Sequence, residues 1–532
     1  MGEASGRTRR NPVAAARLVA CCLAIMAGAC SSEDPTRGGP RAFFVGGAAV
    51  DEPRAALAAR DVLAARGTAV DAVTAAYFTL AATLPSVASL GGGGACLVFD
   101  ARLGRIEAVD FMPRSAASPT PMNARGFFVM QGRYGRTRWE QLVGPAEGLA
   151  RFGHPVSRAL ARDLAENAGA VSASPELSRL LMRGGSPLRE GDQLVQPALA
   201  DTLALIRGRG AKEFHESEDA RRFVVAARAA GARFTQEEFA AAAPQFRAPL
   251  SVSIRETRVA FLPPASTAGI FQAQLWQILA QRWPDASRDE QANLLVEAQK
   301  RALVDAQRWG ALDLSDFAAV TEAISPRRAQ ALMADYRPGQ ASTAIPPAAP
   351  PESAATATFV AVDVEGGAAA CAVSAGAPFG SGRVAGGVVL AAPSAGVASP
   401  GVASLSAMMA IRSILGRASL SARADSEQFV FAGASGGGRG SAASLVAVGL
   451  SAVVRRESLG DLVDRPRLLV PGGGAEVLGE PGAVARGHQV VEATVLGRIN
   501  AVSCPAGIVD EPTACRVRHD QRGNGLAVGG VR

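Results

Sequence analysis

At 532 residues, with 48% hydrophobic and 19% charged side chains, the chain can fill one large domain or two to three ordinary ones, which excludes global disorder. The formal net charge of +7 does not mark a polyanion-binding surface, because the cations are scattered arginines with lysine only at Lys212 and Lys300, so no nucleic-acid partner is expected. His154, His215, His488 and His519 are the four histidines, and none stands in a His-x-x-x-His or Cys-x-x-Cys spacing, so neither a metal nor another cofactor is expected.

The N-terminus reads as an export signal over residues 1–29. Arg7, Arg9 and Arg10 precede an apolar stretch from Leu18 to Ala29 that is too short to span a bilayer as a mature helix. The segment MAGAC ends at Cys30 and resembles the lipobox of bacterial lipoproteins, in which the cysteine is acylated; ordinary cleavage after Ala29 fits the same small residues. A polar tether over residues 30–40 then suits a periplasmic or outer-membrane-anchored lipoprotein whose partner is the membrane. Export permits disulfides: Cys504 and Cys515 flank a short turn and are placed to close a small loop, whereas Cys96 and Cys371 each sit in an apolar run and are expected as buried thiols.

From Pro53 to Ala82 the apolar spacing predicts two helices broken at Gly67-Thr68, the second nearly all apolar and therefore buried. SLGGGGACLVFDARLGRIEAVDF reads as glycine loop, strand, turn and strand. Helical patterns dominate from Trp139 to about Tyr336, with a strand pair around VSIRETRVAFL, and the Pro/Ala/Ser-rich residues 337–355 read as a mobile linker. Strands TFVAVDV, AAACAVSA and VVLAA follow, then a helix near SLSAMMAIRSI, strand QFVFAG, a glycine cluster and helix SAASLVAVGL. QVVEATV and INAVS make a β-rich tail. Strands in two blocks around a helical middle argue for an α+β sandwich rather than a βαβ alternation.

Two segments carry candidate chemistry. GASGG, residues 433–437, matches the Gly-x-Ser-x-Gly elbow of serine hydrolases, with Ser435 as nucleophile and Asp461 or Asp464 and His488 or His519 following in chain order. Its glycines also read as a turn whose N–H groups face an anion. AATATFVAVDVEGG, residues 354–367, places Thr356 at the front of an apolar strand after a loose linker. A strand-leading threonine is ordinarily a β-branched strand former. If the bond before it is cut, its α-amine, with a reference pKa of about 7.7–8.0, serves as general base for its own hydroxyl, and no histidine is needed.

The chain resembles the γ-glutamyltranspeptidases, which are N-terminal-nucleophile hydrolases. The resemblance runs in order through GTAVDAVTAAYFTLAATLPSVASLGGGGACLVFD, YGRTRWEQLVGPAEGLARFGHPVS, GDQLVQPALADTL, PPASTAG, EAQKRALVDAQRWG, TATFVAVDVEGG, FGSG, GASGGGR and HDQRGNGLAVGG. It implies a four-layer αββα sandwich, made as a precursor that cleaves itself between Ala355 and Thr356. A large chain (41–355 after the tether) and a small chain (356–532) would then remain together as a heterodimer forming one composite domain. It further implies Thr356 as nucleophile, Gly436 and Gly437 as oxyanion donors, Ser374 as support for the nucleophile, and a small-molecule γ-glutamyl or related amide as substrate.

The departures gather where the family reads the glutamyl group. Ala357 and Thr358 replace a threonine and a histidine, Gly376 replaces an asparagine, AAPSAG (391–396) replaces a carboxamide-rich segment, and Ser406 of a serine pair stands beside Ala407. The family's carboxylate-clamping arginine falls on Met112, with Arg114 two residues later as its substitute. Two readings from different classes follow: a self-processing amide hydrolase or acyltransferase of altered acyl preference, or a non-catalytic relative acting as a surface lipoprotein.

Overall fold

The computed structural model describes residues 1–2, 44–113, 119–264, 266–310, 317–347, 355–393, 405–413, 427–436, 439–508 and 511–531. The expectations for the export signal, Cys30 and the tether, for Arg114 and for Gly437 lie outside the described residues. The elements that build the sandwich are, in chain order, β1 (Phe44–Val50), α1 (Pro53–Ala64), α2 (Ala69–Thr83), β2 (Gly93–Asp100), β3 (Arg105–Phe111), α3 (Asn123–Tyr134), α4 (Trp139–Phe152), α5 (Pro197–Glu216), β4 (Gln245–Arg247), β5 (Leu250–Ile254), β6 (Thr257–Phe261), α6 (Thr267–Ala280), α7 (Arg288–Gly310), β7 (Thr356–Val362), β8 (Ala368–Ser374), β9 (Ser406–Ser413), β10 (Glu427–Gly436), α8 (Arg439–Val454), β11 (Arg498–Ser503), β12 (Arg516–Arg518) and β13 (Leu526–Val531).

Local chemistry starts the helices where the sequence places them. Pro53 leads α1, and the Glu52 carboxylate accepts the Ala55 amide at 2.9 Å. Thr68 and Asp71 form a reciprocal capping box at the start of α2. All of α2 is buried, and the hydroxyls of Thr74, Thr79 and Thr83 return to carbonyls one turn back, so its polar side chains do not enter the core unsatisfied.

One seven-stranded sheet runs β13-β1-β7-β8-β2-β3-β4 and one six-stranded sheet runs β12-β11-β10-β9-β6-β5. Neighbouring strands within each pair antiparallel. Three apolar layers hold them. Ala357, Phe359 and Ala361 of β7 pack with Cys371 and with residues of α1 to α5. Val360 and Val362 point the other way, into a layer shared with Ala407, Met409, Ala432, Ala434 and Val502 of the second sheet. Met408, Ala410 and Phe431 face Trp276 of α6, Leu294 of α7 and Leu445 of α8. Helices, sheet, sheet and helices thus form the expected αββα order. Burying a ring such as Phe359 completely stabilises the fold by roughly 1.5–3 kcal/mol.

Several expectations are corrected. SLSAMMAIRSI forms strand β9, not a helix. Its odd and even residues enter two different cores, so it is apolar throughout and shows no period separating strand from helix. VVLAA and QVVEATV contribute only the short strands Val388–Val389 and Val490–Glu492. Cys96 and Cys371 are joined in a disulfide rather than standing as thiols, because the β8–β2 register sets them directly opposite. Cys504 and Cys515, whose pairing the sequence leaves open, are also bonded. Part of the linker is held: Asn293 Oδ1 accepts the Gly339 amide at 3.1 Å, Glu297 Oε1 the Ser342 amide at 3.0 Å, and Pro346 O the Gly473 amide at 2.8 Å.

Candidate active site

The start of β7, in the seven-stranded sheet, faces Gly436 and Arg498 of the second sheet. Thr356 stands opposite Ser374 in the register with β8, and Ser374 in turn stands opposite Gly93 of β2. Backbone approach here requires glycine: a Cβ on Gly92 would lie 2.2 Å from the Ser374 carbonyl oxygen, which cannot move without breaking the sheet.

In the uncut chain Thr356 is 1% exposed, and its Oγ1 has no hydrogen-bond partner among the described residues. The carbonyl before it is engaged. Ser374 Oγ donates to Ala355 O at 2.6 Å and accepts the Gly376 amide at 3.0 Å, which orients the hydroxyl toward that carbonyl. From the second sheet, Gly436 closes over Thr356; a Cβ on Gly436 would lie 3.0 Å from the Thr356 carbonyl and 3.6 Å from its Cβ.

Arg498 stands opposite Gly436 in the β10–β11 register and donates from Nη2 to the Thr356 carbonyl at 3.2 Å. The next outward position on β7 is fixed by a buried polar network. Asp51 Oδ2 accepts from the Thr358 amide at 2.9 Å and from its hydroxyl at 3.2 Å, and Asn500 Nδ2 donates to Asp51 Oδ1 at 2.7 Å and to the Thr358 hydroxyl at 2.9 Å. At the far end of β7, Asp363 accepts the Ala69, Glu365 and Gly367 amides at 2.8, 2.9 and 3.0 Å, tying the strand to the N-terminus of α2. Burial pushes the Asp363 carboxyl above its ordinary value, against those bonds.

Of the residues singled out in the sequence, Ala355, Thr356, Ser374 and Gly436 converge. Ser406 is adjacent: it stands opposite Ser435, whose Oγ donates to Ser406 Oγ at 2.8 Å, both fully buried. This bond also engages the hydroxyl of the serine-elbow reading. His488 is elsewhere, with Nε2 3.2 Å from Glu297 Oε1 and Nδ1 3.4 Å from Lys300 Nζ, so it does not serve Ser435. Met112 is core, its side chain in the layer between the sheets. Asp51, Arg498 and Asn500 escape a sequence reading, since β1 and β11 meet β7 only through the sheets. Among the described residues no group of His, Cys, Asp and Glu is placed to hold a metal ion.

Solved structures share this two-sheet αββα sandwich. Cephalosporin acylase from Bacillus halodurans matches with a TM-score of 0.75 at 19% identity, covering 94% of this chain and 98% of that one. A family model described as Gamma-glutamyltranspeptidase matches residues 55–528, and the chain belongs to that family. Among curated relatives, the Glutathione hydrolase proenzyme of Escherichia coli (strain K12) is 31% identical over 368 residues, 61% of this chain and 62% of that protein. The Acylase ACY 1 proenzyme of Pseudomonas sp. (strain SE83) is 27% identical over 289 residues, 48% of this chain and 52% of that one. The matched region thus spans between half and two thirds of these relatives' lengths.

Proposed function

We propose that the protein is a self-processing acyltransferase or amide hydrolase whose nucleophile is Thr356. The observation that carries this reading is the buried Thr356 hydroxyl, without a hydrogen-bond partner among the described residues, beside an Ala355 carbonyl to which Ser374 donates. In the precursor, Thr356 Oγ1 attacks the Ala355 carbonyl carbon. The C–N bond to Thr356 breaks, the hydroxyl proton passes to the departing nitrogen, and an ester joins Ala355 to Oγ1. Water hydrolyses that ester, leaving a carboxylate on Ala355 and a free α-amine on Thr356.

In the mature protein the amine takes the Oγ1 proton as the hydroxyl attacks a substrate amide. It then protonates the leaving amine, and the acyl ester passes to water or to an acceptor amine. By the family resemblance, the N–H groups of Gly436 and Gly437 would hold the developing oxyanion. Relatives named as glutathione hydrolases and as an acylase support acyl transfer from an amide. Gly376, Ala407 and the buried Met112 supply none of the charge-assisted bonds that would hold a glutamyl group, each worth about 1.5–3 kcal/mol. The acyl group transferred is therefore one that does not depend on those contacts, and an ordinary γ-glutamyl donor such as glutathione is not expected to be turned over efficiently.

Intact mass and N-terminal sequencing of mature protein test the reading. Chains ending at Ala355 and beginning at Thr356 are expected, and a single uncut chain in active material overturns it. The same spectrum tests a proposed lipid at Cys30. The emptied pocket favours the alternative of a non-catalytic surface lipoprotein, which any acyl-enzyme formed on Thr356 would eliminate.

A further inference from the structure

We infer that the Cys96–Cys371 disulfide becomes, on processing, a covalent bond between the two chains of the mature protein; this rests on the proposed cut before Thr356. Cys96 lies in β2, ahead of the cut, and Cys371 lies in β8, behind it. The two are directly opposite in the antiparallel register, and both are completely buried beneath α1 to α5. The bond spans 275 residues of sequence, so a cut at 355/356 falls inside the loop it closes and converts an internal bridge into an interchain one.

Cys504–Cys515 has a separation of 11 and lies wholly behind the cut, so it cannot play this part. Among the described residues these four are the cysteines present; Cys21, Cys22 and Cys30 precede Phe44.

The position gives the bond a specific effect. The same strand pair that carries Cys371 against Cys96 carries Ser374 against Gly93, and Ser374 is opposite Thr356. The tie therefore fastens the small chain to the large one three residues from the group that polarises the Ala355 carbonyl. A cut heterodimer without a crosslink unfolds into two separate chains, and its apparent stability depends on protein concentration; a crosslinked one unfolds as one molecule, and its stability does not. The bond forms by thiol–disulfide exchange: the two thiolates give up two electrons, and a protein disulfide oxidant of an oxidising compartment is reduced to its dithiol. Because the sulfurs are buried in the finished fold, exchange precedes closure of the sheet.

Mature protein, alkylated during lysis to block exchange, is to be run on denaturing gels with and without reductant. Without reductant one species containing both chains is expected; with reductant, two chains, the smaller beginning at Thr356. Cys371→Ser should give two chains without reductant, and Cys504→Ser should leave the linked species intact. Two chains from unreduced wild-type protein overturn the inference while leaving the processing reading standing. A single chain after reduction overturns processing, and the interchain bond with it. Should Cys371→Ser fail to fold, melting wild-type protein over a hundredfold range of concentration decides: a constant midpoint supports the tie, and a midpoint that falls on dilution refutes it.

Discussion

The two ends of β7 are built in opposite ways. At Asp363 every amide the carboxylate meets is taken up, and the strand is fastened to the start of α2. At Thr356 the hydroxyl is buried and has no hydrogen-bond partner among the described residues, while Ser374 Oγ donates to the Ala355 carbonyl. One end is anchored; at the other, the atom proposed to react has no partner among the described residues. The difference is one of hydrogen bonding: the far end is tied to α2 through Asp363, and the near end carries the hydroxyl proposed to react.

Experiments that break the reactive end should have the largest effects. Thr356→Ala removes the only proposed nucleophile. Mature material should remain one chain on reducing gels, and turnover should fall on the order of 10⁶-fold, as in other covalent catalysts. Gly436→Ala places a methyl group 3.0 Å from the Thr356 carbonyl and displaces the amide proposed to hold the oxyanion; a loss of about 10²–10³ in the rate of acyl-enzyme formation is expected in single-turnover assays. Ser374→Ala withdraws the donor from Ala355 O and should slow chain cleavage about 10- to 100-fold by quantitative gel, with Ser374→Thr restoring most of it.

The anchored end should respond in stability rather than chemistry. Asp363→Asn replaces one accepting oxygen with a donor facing backbone N–H groups, and should cost about 1–3 kcal/mol in denaturant unfolding while cleavage still goes to completion.

A pH-dependent effect on stability is expected at Glu297 of α7, which accepts the linker's Ser342 amide. Burial alone would raise the Glu297 carboxyl, but the His488 ring, the Ser342 amide and Arg301 outweigh it and bring it to about 2 from an ordinary 4.5. A folded value below the unfolded one means that the stabilisation is present above about pH 4.5 and lost as pH falls toward about 2. The difference in melting temperature between wild type and Glu297→Gln should therefore shrink across that window.

Helices α1 and α2, the hairpin β2–β3 and the strand at Thr356 were legible because each carries a local signal: a cap, a glycine loop, a turn triplet or a run of β-branched residues. β9 was not, since burial on both faces erases the alternation that marks a strand. The opening strand β1 was missed as well; it has meaning only through its pairing with β7 and β13.

By itself the sequence determined the layered α+β architecture, the family resemblance and the candidate nucleophile, because those rest on hydrophobic pattern, glycine placement and motif order, all written along the chain. Only the tertiary structure decided that Cys96 and Cys371 are bonded, that Asp51 and Asn500 hold Thr358, that Arg498 reaches the Thr356 carbonyl, and that Ser435 is engaged by Ser406. Each of these joins residues from different strands, and their meeting is set by sheet register, a property of paired strands that no single strand carries.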